Sequence, residues 1–460
     1  MPDALRTDEA FALDLDASDP LRAFRGEFHL PLAGDLRRAT ATAHSASPLA
    51  IADDEPAIYL TGNSLGLQPR STRQAILQEL DDWARLGVEG HFHAQHPWYP
   101  AHEELRGPIS RLIGAKETEV VAMNSLTVNL HLLMVSFYRP RADRFRILME
   151  DSAFPSDSYA IRSQADFHAR ASNGAFNQRD AVVRLVARDE RTGVFATDEI
   201  LEAIDRHADS AAMLLMGGVN YRTGQVFDMA RITEHARSRG IIVGWDLAHA
   251  AGNIPLALHE WGVDFAAWCS YKYLNSGPGS VAGAFVHERH LDNAALPRFA
   301  GWWGNDPSTR FVMGPDFVPV ARADAWSTSN PPILSLAAVR ASLALFDRAT
   351  IAALRDKSVR LTGYLEQLLV SGWPRSAERG EPAPLEVLTP SDPKARGCQL
   401  SIRVPGRGRE MLSKLLSMGV VCDFREPDVV RAAPVPLYNS YHDAWRFAAI
   451  LRDLAASARD

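Results

Sequence analysis

Lysine is scarce in this sequence: among 460 residues it occurs only at positions 116, 272, 357, 394 and 414, although Lys and Arg together number 49. Arginine stays protonated in proteins, so chemistry that needs a neutral, nucleophilic amine has few candidates. Cysteine is nearly as rare. Cys269, Cys398 and Cys422 are widely spaced with no CxxC pair, which argues against disulfides and a cysteine–zinc site and predicts a reducing, cytoplasmic setting. The formal net charge is −7 and no long basic block exists, so neither a nucleic-acid groove nor an anionic membrane surface is expected as a partner. The longest apolar stretch, around Ala211 to Val219, is far too short to span a bilayer. Met1 to Ala17 alternate acidic and apolar positions, without the positive start and apolar run of a signal peptide.

The rest of the composition, 46% hydrophobic and 23% charged, is that of a globular protein, and the length is too great for one compact core. The patterning predicts an N-terminal arm and helix over 1–85, a large domain over 86–330 and a small C-terminal domain over 331–460, divided where Asn330-Pro331-Pro332 breaks the rhythm. A helix is expected after Pro69, with Ser71 as N-cap, Ile76, Leu77, Leu80, Trp83 and Ala84 on one face, and Gly87 as its stop. From Glu119 onward apolar runs alternate with helical patterns: strands at Arg146–Glu150, Ala211–Met216, Ile241–Trp245 and Asp264–Ser270, helices at Thr127–Tyr138, Ser158–Ala169 and Asp228–Arg239. Such alternation implies an α/β fold with a mainly parallel sheet covered by helices.

Ligands of such sheets sit outside the carboxyl ends of the strands, which makes the residues there the candidates. One predicted strand ends in Asp246 and another in Tyr271-Lys272. Alone, these are a helix cap and a surface lysine. Together they are what pyridoxal phosphate requires: a carboxylate that keeps the pyridine nitrogen protonated, and an amine that joins the aldehyde. Met123 to Asn129 runs from a strand end into a helix start, where free N–H groups and the Thr127 hydroxyl could meet a phosphate. Phe154-Pro155-Ser156-Asp157 follows another strand; it is either a common turn or a ring-stacking and hydrogen-bonding element. Gly277 to Ala282 fits a loose GxGxxA pattern but precedes a strand, whereas a dinucleotide fingerprint must open a helix. His91, His93 and His96 lie in a loop with no matching acid, so no metal is expected there.

From about Tyr59 to Tyr441 the chain resembles the kynureninase family. The matching segments are Gly62–Leu67, Met123–Leu133, Ala153–Ala160, Asp246–Ala250, Trp261–Asn275, Ser329–Leu334 and Ala433–Ser440. The resemblance implies pyridoxal phosphate fold type I, the aspartate-aminotransferase-like architecture, working as a homodimer with shared active sites. The implied activity is hydrolysis of L-kynurenine or 3-hydroxykynurenine to anthranilate or 3-hydroxyanthranilate plus L-alanine, in tryptophan catabolism. Carried over by position, Lys272 is the Schiff-base lysine and general base, Asp246 the pyridine-nitrogen partner, and Tyr271 the proton donor. Leu126, Thr127 and Tyr271 face the phosphate, Phe154 stacks on the ring with Pro155 and Ser156 beside it, Asp157 supports the ring, and His249 lies close. Trp302 and Asn330 are expected from the neighbouring subunit; Ser64, His91, Asn330 and Arg431 are expected to bind substrate, with Arg431 on the α-carboxylate. One departure is Gly217, where several members carry Ser or Thr; water or Asn220 is expected to replace that hydroxyl. The competing readings are a cysteine desulfurase or aminotransferase on the same fold, and a non-enzymatic carrier, which would need a lost lysine or acid whereas Lys272 and Asp246 are both present.

Overall fold

The computed structural model describes residues 6–371 and 384–456. The chain divides into two units, one built from residues 71–221 and 226–348, the other from 1–70, 222–225 and 349–460. The first contains a helix α1 (Arg70–Leu86), then strand β1 (Val120–Ala122), helix α2 (Leu126–Phe137), strand β2 (Arg146–Glu150) and helix α3 (Pro155–Ala171). Strands β3 (Val182–Leu185), β4 (Ala211–Gly217), β5 (Ile242–Asp246), β6 (Phe265–Trp268) and β7 (Gly283–Val286) complete a seven-stranded sheet of order β1-β7-β6-β5-β4-β2-β3. Only β7 runs against its neighbours; the β3-β2-β4-β5-β6 pairs are all parallel. Five β4 positions in a row, Met213 to Gly217, pair with Ile242 to Asp246 of β5. Because β4 is covered on both faces it reads as a continuous buried run rather than an alternation. Phe137, Met149, Leu215, Phe265 and Trp326 belong to the core on one side of this sheet.

The expected elements recur with shifted ends. Strand β6 stops at Trp268 rather than Ser270, so Lys272 sits on a turn beyond the strand. Helix α3 starts earlier than its apolar pattern, at Pro155: proline's missing N–H costs nothing in the first turn, which leaves Asp157 inside the helix. Helix α1 starts at Arg70, placing Ser71 within it instead of at its cap. More surprising is which face of α1 is covered. Glu79 is 2% exposed and Asp82 1%, while Trp83 is 63% exposed and Leu77 and Leu80 are also open. The acids are buried because they have donors: Glu79 accepts from Trp98 Nε1 at 2.9 Å and pairs with Arg340 at 2.7 Å, and Asp82 accepts from the Gln95 amide at 2.9 Å.

Helix α4 (Ile333–Ala349), expected to open the small domain, belongs up to Arg348 to the sheet-bearing unit; its Ser335 Oγ accepts from the Val281 amide at 2.7 Å. The second unit joins the chain's beginning to its end. Helix Glu9–Ala17 contacts helix Tyr441–Ala456, and Ile58–Tyr59 pairs in parallel with Val420–Val421. An antiparallel sheet in this unit includes β8 (Leu400–Arg403), β9 (Asp423–Arg425) and β10 (Val429–Ala432), over a core containing Leu361, Leu365, Leu415 and Phe447.

Candidate active site

The sheet-bearing unit gathers its chemistry at the carboxyl ends of adjacent strands. β2 ends in Glu150, β4 in Gly217 and β5 in Asp246, and the register sets Gly217 beside Asp246. Asp246 is buried; its Oδ1 accepts from the Ala248 amide at 2.6 Å, and its other hydrogen-bond partner is the Asp157 carboxyl from the first turn of α3. Two buried carboxyls in contact cannot both ionise cheaply, so they share a proton. Burial raises both, and Asp246 raises Asp157 further, well above the usual carboxylate range. Lys272 Nζ stands 3.0 Å from His249 Nε2 and 5.8 Å from the centre of the Phe154 ring, and its charge favours ionisation of both acids. Tyr271 keeps its hydroxyl proton: burial first, then Cys269, pushes it up to about 12.

Nearby, the N-termini of α2 and α3 converge. The Thr127 and Ser156 hydroxyls, one from each first turn, lie 2.8 Å apart, and Asn124 with φ 48° turns the chain into α2 just ahead of Ser125. Two positive helix ends and two hydroxyls make a receptor for an anion, and Leu126 begins the first of these helices. A buried acid pair short of positive charge, a lysine near an exposed aromatic face, and an anion cradle suit the pyridinium, aldehyde and phosphate of pyridoxal phosphate respectively.

Sequence comparison decides the family. The chain is 52% identical to a kynureninase of Myxococcus xanthus (strain DK1622) over 443 residues, 96% of each chain, and 53% identical to one from Salinispora tropica over the same length and shares. It belongs to the kynureninase family. The kynureninase C-terminal domain family matches residues 354–451, and the aminotransferase class-V family matches residues 58–372. Among solved structures, a cysteine desulfurase from Escherichia coli aligns with TM-score 0.70 at 18% identity, covering 95% of this chain and 98% of that one. A C-DES mutant with glycine covalently linked to its PLP cofactor aligns with TM-score 0.69 at 17% identity, covering 86% and 96%. At such identities these two establish the shared fold and nothing finer.

The remaining kynureninase-like positions are distributed as follows. Pro155 is the first residue of α3, and Phe154, exposed at its cap, meets Tyr221 edge-on at 5.3 Å. Asn220 Nδ2 donates to Ser152 Oγ at 2.9 Å. Trp302 and Asn330 are exposed on the single chain. His91 Nδ1 lies 2.9 Å from the Val88 carbonyl and its ring meets Trp98 edge-on, whereas His93 pairs with Glu89 and His96 with Glu104. Ser64 and Arg431 belong to the other unit. Ser64 donates its amide to the Thr61 carbonyl at 2.9 Å. Arg431 is fully buried on β10, opposite Asp423 of β9, whose carboxylate takes the Nε and Nη2 edge of the guanidinium, with Nε to Oδ1 at 2.6 Å. Glu150, which sequence reasoning passed over, is a buried acid at a strand end like Asp246, accepting from the Gly217 amide at 3.1 Å. Its only sequence signal is an acid closing an otherwise apolar strand.

Proposed function

We propose that this chain hydrolyses the Cβ–Cγ bond of L-kynurenine and 3-hydroxy-L-kynurenine, releasing L-alanine and the corresponding anthranilate, with pyridoxal phosphate held by the cluster around Lys272. The observation that carries this reading is the meeting of Lys272, His249, Asp246 and Asp157 in a chain that matches kynureninases over 96% of its length. Bound pyridoxal phosphate supplies the electron sink that makes the α-proton and then the Cβ–Cγ bond labile. Lys272 takes the proton at the α-carbon, with His249 Nε2 orienting its amine. Asp246, backed by Asp157, holds the proton on the ring nitrogen. Thr127 and Ser156 with the two helix ends bind the phosphate, and Phe154 covers the ring. Tyr271, still protonated near neutral pH, gives its proton to the β-carbon as the bond breaks.

Arg431 is assigned to the substrate α-carboxylate, with Asp423 fixing the orientation of its fork. Ser64, His91 and Asn330 are each assigned to substrate binding; an imidazole and an amide can hydrogen-bond a phenolic hydroxyl, which supports acceptance of the 3-hydroxylated substrate. Trp302 and Asn330 serve the partner subunit's site in a cytoplasmic homodimer. The open apolar face of α1, with Leu77, Leu80 and Trp83, supports that assembly. A desulfurase needs an accessible nucleophilic thiol, and Cys269, Cys398 and Cys422 are all buried. Chromatography of products from purified holoenzyme given kynurenine, 3-hydroxykynurenine and cysteine tests the reading: anthranilates and alanine support it, and alanine formed from cysteine alone refutes it.

A further inference from the structure

The kynureninase reading assigns Asp246 and Asp157 but leaves a third buried carboxyl without a part. Glu150 closes β2, one strand away from Gly217 and two from Asp246 in the sheet. Its side chain is aimed along the strand ends rather than out to solvent: it is 2% exposed, and the Gly217 amide donates to Oε1 at 3.1 Å and Oε2 at 3.4 Å. Gly217 makes room for it. A Cβ there would stand 3.1 Å from Glu150 Oε1, so the carboxyl would have to give by a few tenths of an ångström. Gly217 has no positive φ; the glycine is needed for this approach and not for its backbone angle.

The groups facing Glu150 are acids. Asp246 repels its charge from β5, and Glu150 in turn repels that of Asp157 on α3. Lys272 acts on the two aspartates, while Tyr271 and Cys269 share the field of Asp246. We propose that Glu150 is a positioning residue of the cofactor site: held by the Gly217 amide beside the Asp246–Asp157 pair, it sets how many negative charges the cluster presents to the cofactor's ring nitrogen. With Glu150 neutral, the cluster shows the ring the single charge of the aspartate pair. Once Glu150 ionises, a second negative charge strengthens the hold on protons of the bound cofactor. Burial pushes this carboxyl up to about 8, which puts the change within the working range of pH.

This inference rests on the pyridoxal phosphate reading above, and the test separates the two. Wild type, Glu150→Gln and Gly217→Ala are reconstituted with pyridoxal phosphate, and the visible band of the bound cofactor is titrated from pH 6 to 10. Glutamine keeps an acceptor for the Gly217 amide but cannot ionise. The midpoint at which the band loses its protonated form should fall by about one pH unit in Glu150→Gln. Gly217→Ala, whose methyl crowds the carboxyl, should move it the same way by a smaller amount, and answers the question even where Glu150→Gln does not fold. A merely structural Glu150 would leave the titration where it is. Superimposable curves from variants that carry the band overturn the proposal; absence of any cofactor band in wild type overturns the functional reading beneath it.

Discussion

Arg431→Ala tests the assignment of the substrate carboxylate most directly. The guanidinium is wholly buried, and Asp423 takes one edge of it. A carboxylate bound by such an oriented fork forms charge-assisted bonds, and losing them costs about 2–5 kcal/mol of substrate or transition-state binding. At 1.36 kcal/mol per tenfold, kcat/KM should fall roughly 30-fold to several-thousand-fold. The substitution also leaves Asp423 with Arg425, 3.4 Å away, as its remaining ion-pair partner, so stability must be followed alongside. Asp423→Asn is the control: it removes the carboxylate charge that faces the buried arginine, at about 3–5 kcal/mol of folding free energy. Steady-state kinetics on kynurenine and urea unfolding of both variants, with the cofactor absorbance as a check on loading, separate binding from folding. If Arg431→Ala loses stability but its folded fraction retains wild-type kcat/KM, Arg431 serves only to tie β9 to β10 and the carboxylate is bound elsewhere.

Lys272→Ala should lose the visible cofactor band and multiple turnover; normal steady-state activity in that variant contradicts the mechanism outright. The double variant His91→Trp, Asn330→Thr should shift the ratio of kcat/KM toward kynurenine and away from its 3-hydroxylated form, since buried polar groups that lose their partner cost about 1–3 kcal/mol each; an unaltered ratio removes both residues from the account of specificity. The cofactor-free protein should lose stability as pH rises from about 5 through 8, because Glu150, raised to about 8 when folded from an ordinary 4.5, binds more protons in the folded state across that window. Glu150→Gln should flatten that slope of melting temperature against pH, and equal slopes would show that Glu150 is ionised throughout.

Much of this site could be read from residue order because its chemistry sits where parallel strands end. Asp246 closes a strand in both reading and structure, and Lys272 stands out in a chain with so few lysines. What stayed hidden depends on burial by distant parts of the chain. Phe154-Pro155-Ser156-Asp157 reads either as a turn or as a ring-stacking and hydrogen-bonding element, and only the helix that begins there reveals Asp157 as a buried acid against Asp246. Glu150 looks like the polar end of an apolar strand until Gly217, 67 residues later, donates to it. Strand β3 escaped notice since it lies at the sheet's edge and carries the charged Arg184 within a short run. The unit boundary was misplaced by the Pro331-Pro332 break, which precedes α4 but does not detach it: Arg340 still pairs with Glu79, and Ser335 still accepts from Val281.

Helix α1 wears its hydrophobic side outward, and that has a cost during synthesis. If α1 packs against a second chain in the proposed homodimer, a newly made chain would carry Leu77, Leu80 and Trp83 in water until that chain arrives, and meeting it would be a bimolecular event whose rate falls with dilution. Slow expression therefore lengthens the time in which these side chains can find the wrong company. In that assembly the yield of active enzyme should depend on how quickly chains accumulate as well as on how well each one folds, and solubilising substitutions on this face would relieve aggregation at the expense of the proposed encounter between chains.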